Sequence, residues 1–318
     1  MFKFIDLFAG IGGFHLAFHD VGAECVFASE IDKDARKTYE HNLKKISPAI
    51  FAENKNGINY FNDDIRAIDP KDIPDHDILC AGFPCQPFSQ AGHKRGFEEQ
   101  TDDRGNMFFI LRDIIKVKRP KCIFLENVRH LLKHDDGRTF QIIVDILTNE
   151  LDYDIYYKVV KASDYGLPQH RPRIFIVGFR KEDNNFWNFE FPKQIPLKFT
   201  MSDVWKADCD REIGFTLRVG GGRSSIDDRR NWDSYRVNGE VKVLGPEEGK
   251  KMMGLPDWYH FPGSRTQTMK QLGHSVAVDA VNEVAKAIIN YLTPNRQDNK
   301  NDTIARENKF KISKKLNN

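Results

Sequence analysis

The chain has 318 residues, a length that suits one α/β catalytic domain with a smaller second domain. Hydrophobic residues make up 40% of the sequence, which is enough for a buried core, and charged residues make up 30%, mostly a solvated surface. The formal net charge is only +2. A balance this close to neutral neither indicates nor excludes nucleic acid as a partner, so local clusters of charge have to decide.

The cysteines form no pattern typical of a disulfide framework or a metal site. They stand at positions 25, 80, 85, 122 and 209, an odd number without a Cys-x-x-Cys pair. This usage favours a reduced, cytoplasmic chain. The N-terminus lacks the layout of a signal peptide, and no apolar run approaches membrane-spanning length. We therefore expect a cytoplasmic protein that needs no metal and no membrane.

Strand-like and helix-like segments alternate along the first half of the chain. The predicted strands are residues 3–8, 25–30, 77–81, 121–126, 155–161 and 173–179, and the predicted helices are residues 13–21, 32–45, 105–118 and 138–151. This alternation predicts an α/β fold with a doubly wound, mostly parallel sheet, helices on both faces and ligands beyond the carboxyl ends of the strands.

The second half is organised differently. After residue 180 the alternation weakens, and scattered aromatics, arginines and a triple-glycine run at 220–222 indicate a small separate domain. Periodicity returns with a predicted helix at 275–291, and a polar tail follows. We predict a catalytic and cofactor-binding domain at 1–180, a second domain at 181–262, a returning C-terminal segment at 263–293 and a tail at 294–318.

The first predicted strand ends in a glycine-rich turn, the run from Phe8 to Gly13. Such a turn fits NAD, FAD or S-adenosylmethionine, or simply tight packing. Its spacing is not Gly-x-Gly-x-x-Gly, and Phe8 supplies a ring that can pack on a ligand, which favours S-adenosylmethionine because that cofactor has no pyrophosphate. Glu30 closes the second strand, where a carboxylate can accept hydrogen bonds from two ribose hydroxyls. Asp64 and Ile65 follow a weak third strand and would lie beside an adenine.

Cys85 follows the predicted strand 77–81, between Pro84 and Gln86 in a polar loop. A cysteine in this position is either structural or a nucleophile whose thiolate is activated by its surroundings. Its place in a polar loop at a strand end favours the nucleophile. Cys25, Cys80 and Cys122 lie inside strand-like runs and are predicted to pack in the core.

Two further polar groups stand beside predicted strands. Glu126 ends the strand 121–126 and can point into the same site, although Glu is also common at loop starts. Arg171 and Arg173 precede or begin the strand 173–179, and on an extended chain they share a face. They could bind a phosphate, a carboxylate or the carbonyl of a base, or form a solvated basic edge.

In this order, these stretches resemble the bacterial DNA (cytosine-5)-methyltransferases of type II restriction–modification systems. The likeness spans nearly the whole chain. It is carried by Phe8-Ala9-Gly10-Ile11-Gly12-Gly13, Glu30, Gly82-Phe83-Pro84-Cys85-Gln86, Glu126-Asn127-Val128, Gln169-x-Arg171-x-Arg173 and Gly273-His274-Ser275-Val276. The Pro-Cys-Gln and Glu-Asn-Val elements at this spacing are highly specific.

The resemblance implies a Rossmann-like S-adenosylmethionine-dependent fold with a target-recognition domain, and roles for individual residues. The cofactor would be held by Phe8, Gly10, Ile11, Gly12, Gly13, Glu30, Ile31, Asp64, Ile65, Gly82, Pro84, His274, Ser275 and Val276. Cys85 would attack carbon 6 of a flipped-out cytosine, Glu126 would stabilise the charge at N3, and Arg171 with Arg173 would stabilise O2 and a phosphate. The helix 275–291 would return beside the first helix.

DNA contacts are implied by the same resemblance. The loop 89–104 would be a mobile lid, and residues expected to contact double-stranded DNA are Ser89, Arg95, Arg104, Gln169, Arg218, Gly221, Gly222 and Arg223. The run 216–222 resembles the recognition region of family members whose target has a GCGC core. A cognate restriction endonuclease would act on the same site without a stable complex, and the enzyme is expected to be a monomer.

Two alternatives stay open on the sequence. Transfer-RNA cytosine-5 methyltransferases share the fold and the Pro-Cys pair, although the arginine- and glycine-rich stretch 211–230 argues against them. An inactive DNA-binding subunit is favoured only by two departures from the family pattern. These are His274 in place of Asn, and the run 246–251 in place of Arg-Glu-x-Ala-Arg.

Overall fold

The computed structural model describes residues 1–52, 59–84, 107–183, 189–219 and 224–293. The predicted residues that lie outside this part are Cys85, Ser89, Arg95, Arg104, Gly221, Gly222 and Arg223, together with the tail 294–318. Within the described part, no helix combines the length and the apolar character that crossing a membrane requires.

The described strands of the first half form a seven-stranded sheet in the order β3-β2-β1-β4-β5-β7-β6. Their bounds are β1 Lys3–Leu7, β2 Glu24–Ser29, β3 Phe61–Asn62, β4 Ile78–Gly82, β5 Cys122–Val128, β6 Tyr153–Lys161 and β7 Pro172–Arg180. β7 runs antiparallel to both of its neighbours, and the other pairs are parallel. The predicted doubly wound, mostly parallel sheet is confirmed.

The central strands are apolar because helices cover both of their faces. In β1, β4 and β5 nearly every side chain is buried, including Ile5, Leu79 and Phe124. Cys25, Cys80 and Cys122 are also buried in strands, as predicted. Burial raises the pKa of all three thiols, which therefore stay protonated and serve as core packing.

Helices lie on both faces of the sheet, and further helices belong to the second half of the chain. Their bounds are α1 Gly13–Asp20, α2 Lys33–Leu43, α3 Met107–Lys118, α4 Arg138–Asp145, α5 Met201–Trp205, α6 Pro246–Met252, α7 Arg265–His274 and α8 Val278–Leu292. The C-terminal helix α8 returns along α1, where the Asn282 amide donates to the carbonyl of Ala17 (3.2 Å) and to Asp20 (2.8 Å). This return of the chain is what the family resemblance implied.

The helix predicted at 275–291 is observed as α8, which begins three residues later, at Val278. It is the second of two helices, α7 and α8, separated by a short extended stretch in which Ser275 has φ −70° and ψ 166°. The first of them, α7, begins with a capping box, in which the Ser264 hydroxyl accepts from the Gln267 amide and the Gln267 side chain accepts from the Ser264 amide. Ser275 and Val276 therefore follow the end of one helix and precede the next.

A β-hairpin, β8 Ser234–Val237 with β9 Glu240–Val243, lies in the stretch where the sequence showed no clear alternation. Its turn is Asn238-Gly239, and both residues have positive φ, 51° and 78°. This is the backbone that a two-residue hairpin turn requires, and Asn-Gly is the sequence that adopts it most readily. The Asn238-Gly239 pair is the local sequence signal from which this hairpin could have been predicted.

Candidate active site

A cavity of about 390 Å³ lies beyond the carboxyl ends of β1, β2, β4 and β5. Helix α7 closes its other side. The cavity is lined by Phe8, Gly10, Ile11, Glu30, Ile31, Asp32, Asp34, Ala35, Gly82, Phe83, Pro84, Glu126, Asn127, Val128, Arg173, Gln267, Lys270, Gln271, Gly273 and His274. The sheet therefore brings predicted cofactor residues and two predicted catalytic residues to one cavity, as expected for ligands of a doubly wound sheet.

The glycine-rich turn after β1 is built from left-handed backbone. Phe8 and Gly10 have φ of 54° and 56°, and Gly12 has φ of 82°. A Cβ atom on Gly10 would meet nothing within 4 Å, whereas one on Gly12 would lie 2.3 Å from Leu43 Cδ1. Gly10 thus leaves space for a ligand close to the main chain, while Gly12 allows α2 to pack closely on the turn.

Gly13, Ser275 and Val276 do not line the cavity. A Cβ atom on Gly13 would lie 2.5 Å from Val276 Cγ2, so these predicted cofactor residues pack against one another behind the cavity wall. Asp64 and Ile65 also lie outside the lining. Asp64 caps a short helical turn and forms an ion pair with Arg66 (2.6 Å), and Ile65 is buried in the core.

Glu30 links the glycine-rich turn after β1 to the start of α2. Its carboxylate oxygens accept hydrogen bonds from the amides of Gly10 and Asp32, both at 2.7 Å. Burial raises the pKa of the Glu30 carboxyl, and the bonds from Asp32 and Gly10 oppose this shift. A carboxylate has about four acceptor positions, so two bonds leave capacity for hydroxyl donors from a ligand.

Ile31 and the polar residues after it form the outer part of the cavity wall. The Ile31 side chain is 62% exposed and offers an apolar surface beside Glu30. Across the opening, Lys270 forms an ion pair with Asp32 (2.8 Å), and the Gln267 amide donates to Asp34 (2.7 Å). These four polar residues, which join α2 to α7, were not predicted from the sequence. The Ser264–Gln267 capping box was the signal that could have located α7.

Glu126 and Arg173 form the polar inner end of the cavity. Glu126 Oε1 lies 2.9 Å from Arg173 Nε, and both side chains are largely buried. Burial raises the pKa of Glu126, and the charges of Arg173 and Arg171 oppose the shift. A carboxyl in this environment holds a proton at higher pH than an exposed one does, so it can donate to a base.

Asn127 fixes the chain that leads to Pro84. Its amide Nδ2 donates to the carbonyl of Phe83 (2.9 Å), and in the parallel register Gly82 lies opposite Glu126. A Cβ atom on Gly82 would lie 3.4 Å from Glu126 Oε2, so the two strand ends approach closely. Pro84, the residue before Cys85 in the chain, therefore lines the same cavity as Glu126.

The structure does not bring Arg171 or Gln169 to the cavity. The Arg171 side chain is buried and its guanidinium donates to the main-chain carbonyls of Leu217, Gly273 and Ser275. Gln169, predicted to contact DNA, is also buried and donates to the carbonyl of Met252 (2.9 Å). Arg218 is exposed, as a DNA-contacting residue must be.

Among the residues that the structure describes, no three His, Cys, Asp or Glu side chains are grouped closely enough to hold a metal ion.

The comparisons with known proteins agree on one family. The seven-stranded sheet, with its cavity at the strand ends, has the Rossmann-like fold of methyltransferases. The family model for C-5 cytosine-specific DNA methylases matches residues 2–215 and 219–290, and the chain belongs to this family.

Relatives cover the chain nearly end to end. The type II methyltransferase M.HhaI of Haemophilus parahaemolyticus is 37% identical over 322 residues, which cover 89% of this chain and 93% of that protein. M.NgoBI of Neisseria gonorrhoeae, another type II methyltransferase, is 39% identical over 334 residues, 96% of this chain and 98% of that protein. The solved structure of the Entamoeba histolytica methyltransferase EhMeth superposes with a TM-score of 0.67 at 18% identity, covering 92% and 99% of the two chains, and it shows the shared fold.

The protein is accordingly a DNA (cytosine-5)-methyltransferase related to the bacterial type II enzymes. Family membership and the type II relatives establish methylation of cytosine in DNA as its activity.

Proposed function

We propose that the chain uses S-adenosylmethionine to methylate carbon 5 of one cytosine, flipped out of a short specific duplex sequence, and that Cys85 is the nucleophile. The observation that carries this proposal is the Glu126–Arg173 pair, at 2.9 Å, in a cavity that Pro84 also lines. The acid Glu126, the cation Arg173 and Pro84, which precedes the predicted nucleophile, therefore line one cavity in which a single base could be bound.

The cavity suits S-adenosylmethionine in its donor groups and in its space. Gly10 leaves open space beside the main chain, Glu30 retains acceptor capacity for ribose hydroxyls, and the exposed Ile31 side chain offers an apolar surface to a purine ring. Asp64 and Ile65 remain proposed contacts of the adenine. When bound, the cofactor supplies an electrophilic methyl group.

The protein's own groups would make carbon 5 reactive. Addition of the Cys85 thiolate to carbon 6 ends the aromaticity of the ring and makes carbon 5 nucleophilic. Glu126, protonated or sharing a proton with N3, stabilises the negative charge that develops on the ring. Arg173 orients Glu126 and stabilises O2. After transfer, water removes the carbon-5 proton and the bond to Cys85 breaks.

Flipping the base costs about a few kcal/mol of stacking and pairing, which contacts from the rest of the protein must offset. We assign these contacts to the lid 89–104 and to a recognition domain at 181–262, with Arg218 and residues 221–223 among the readers. A target with a GCGC core follows only from the similarity of the run 216–222. Protection from a cognate restriction endonuclease, without a stable complex, is the proposed role of a monomeric enzyme.

The experiment compares Cys85→Ser with Cys209→Ser, a matched change at a partly buried cysteine outside the cavity. Transfer of labelled methyl from S-adenosylmethionine to DNA should fall at least about a thousandfold in C85S and stay within about twofold of wild type in C209S. DNA containing 5-fluorocytosine should trap the wild type covalently, since carbon 5 then has no proton to lose, and should not trap C85S.

Three results would contradict the proposal. Equal activity of C85S and C209S would exclude Cys85 as the nucleophile. Methyl transfer to transfer RNA but not to DNA, assayed side by side, would favour the RNA alternative, and no trapping of the wild type would favour an inactive subunit. Bisulfite mapping of the DNA of an expression host would identify the methylated sequence.

A further inference from the structure

Arg171 is buried but lies outside the cavity, and it links two distant segments of the chain. One guanidinium nitrogen, Nη1, donates to the carbonyl of Leu217 (3.1 Å). The other, Nη2, donates to the carbonyls of Gly273 (2.8 Å) and Ser275. Leu217 lies just before Arg218, the exposed candidate for DNA contact, while Gly273 lines the cofactor cavity. One side chain therefore binds both functional regions.

The two segments also touch each other directly. A Cβ atom on Gly273 would lie 2.9 Å from the carbonyl carbon and oxygen of Arg218, and 2.9 Å from Val219 Cγ2. The 217–219 segment thus rests on the outer side of the wall whose inner side is formed by Gly273 and His274. A shift of this wall would displace the main chain of Arg218.

Gln169 completes the attachment of the 217–219 segment. Its Oε1 accepts from the amide of Leu217 (3.2 Å), while its Nε2 donates to the carbonyl of Met252 (2.9 Å). Both main-chain polar groups of Leu217 are therefore bound, one by Gln169 and the other by Arg171. This fixes the register of the segment, so that Arg218 is presented from a defined position.

The choice of arginine has a physical reason. Its planar fork can reach several carbonyls at once, which a lysine ammonium on a flexible stem cannot do with the same geometry. Among the residues that the structure describes, no carboxylate forms an ion pair with this buried charge, which Glu126 attracts from further away, and Nε has no hydrogen-bond partner. The carbonyls of the two segments bind the guanidinium directly, so separating the segments would leave it poorly solvated.

We propose that Arg171 is a positioning residue that couples the DNA-reading segment to the cofactor cavity, so that cofactor binding and target discrimination depend on one another. It acts through the main chain of residues 217–219 and 273–275 and does not touch the reacting base. The inference rests on the proposed cofactor occupying the cavity.

The test compares Arg171→Met and Arg171→Lys with Arg138→Met, a matched change at an exposed arginine. Hydrogen bonds from a charged donor are lost in R171M. We therefore expect at least about a tenfold rise in KM for S-adenosylmethionine and at least about a tenfold loss of preference for the cognate duplex over one with a single changed base pair. The kcat with both substrates saturating should stay within about threefold. R171K should recover part of each loss, and R138M should behave as the wild type.

A second variant keeps the experiment decisive if R171M does not fold. Gly273→Ala leaves the buried charge in place and pushes the main chain of Arg218 away. Gly273 is helical without positive φ, so alanine is conformationally acceptable there. G273A should reproduce the loss of preference and the rise in KM.

Several results would overturn the proposal. A fall in kcat with both KM values and the preference unchanged would mean that Arg171 contacts the reacting base. A rise in KM that accompanies a lower Tm, with the preference for the cognate duplex unchanged, would mean that Arg171 has a purely structural role. A G273A enzyme with wild-type preference and KM would lead to the same conclusion. A failure of the proposed function itself is distinguishable, because the wild type would then transfer no methyl group from S-adenosylmethionine to DNA.

Discussion

Replacing Glu30 with glutamine tests how far the glycine-rich turn depends on the Glu30 carboxylate. The carboxylate accepts amide hydrogen bonds from Gly10 and Asp32, each at 2.7 Å. A glutamine can accept only through its single oxygen, so one amide is left facing an NH₂ group. Either the glycine-rich turn at Gly10 or the start of α2 at Asp32 should therefore move away from residue 30.

The magnitude follows from these two bonds. Each hydrogen bond to a charged acceptor contributes roughly 1.5–3 kcal/mol. One such bond is lost, while the cost of burying the charge, which raises the pKa of Glu30, is relieved. We expect a net loss of about 2 kcal/mol in cofactor binding, equal to a rise of about 30-fold in Kd.

Isothermal titration calorimetry of the full chain with S-adenosylhomocysteine measures this change. Glu40→Gln is the matched control, because Glu40 lies on the nearby helix α2 in an exposed pair with Lys44 (2.9 Å). Such a pair contributes roughly 0.3–0.5 kcal/mol to helix stability. The Kd of the E40Q enzyme for S-adenosylhomocysteine should therefore stay within about twofold of wild type. An E30Q enzyme that binds the ligand within about threefold of wild type would refute the reasoning.

Three further predictions concern catalysis, pH and the cavity opening. Glu126→Gln removes the proton donor and unpairs Arg173, so kcat should fall by about 10²–10⁴. In the wild type, kcat/KM measured from about pH 5 to about pH 9 should fall as pH rises through the raised pKa of Glu126, because the carboxyl then loses its proton. Burial lowers the pKa of His15 to about 3, so the folded state loses stability as pH falls from 6.5 towards 3. The free energy of unfolding in urea should fall by about 2 kcal/mol between about pH 7 and about pH 5, and His15→Gln should remove this loss. Lys270→Met breaks the exposed pair with Asp32, so dissociation of S-adenosylhomocysteine should become about two- to fivefold faster in stopped-flow measurements.

Matched variants decide the first two of these predictions, and salt decides the third. Glu190→Gln, at an exposed position, should retain kcat, and an unchanged kcat in E126Q would contradict the assigned role of Glu126. His41→Gln, also exposed, should keep the acid-dependent loss of stability; the same slope in H15Q would show that another group causes it. The faster dissociation in K270M should disappear at about 1 M salt, where the Debye length is about 3 Å. An effect independent of salt would show that the Lys270–Asp32 ion pair does not slow dissociation electrostatically.

Local sequence signals were sufficient wherever the structure depends on local geometry. Predicted strands matched observed ones within a few residues. Phe8, Gly10 and Ile11 of the glycine-rich turn line one cavity together with Glu30, Pro84 and Glu126. They meet because parallel strands bring their carboxyl ends to the same edge of a sheet. The capping box at Ser264 and the Asn238-Gly239 turn are equally local, and both could have been predicted.

The two arginines show where sequence reasoning failed. Alternation along an extended chain predicted that Arg171 and Arg173 share a face, but β7 begins at Pro172, so Arg171 precedes the strand and the alternation does not apply to it. Only Arg173 reaches Glu126. Arg171 instead binds carbonyls that lie 46, 102 and 104 residues further along the chain, which no local pattern predicts.

The sequence by itself determined the sheet, the family and the strand ends at which the chemistry is placed, because these depend on periodicity and on the order of short motifs. Only the tertiary structure decided which side chains face the cavity and that the Glu30 carboxylate accepts hydrogen bonds from the main-chain amides of Gly10 and Asp32. It also decided that α7 closes the opening through Lys270 and Gln267. These features depend on contacts between distant segments, and their partners are chosen by burial and by the need to satisfy each buried polar group.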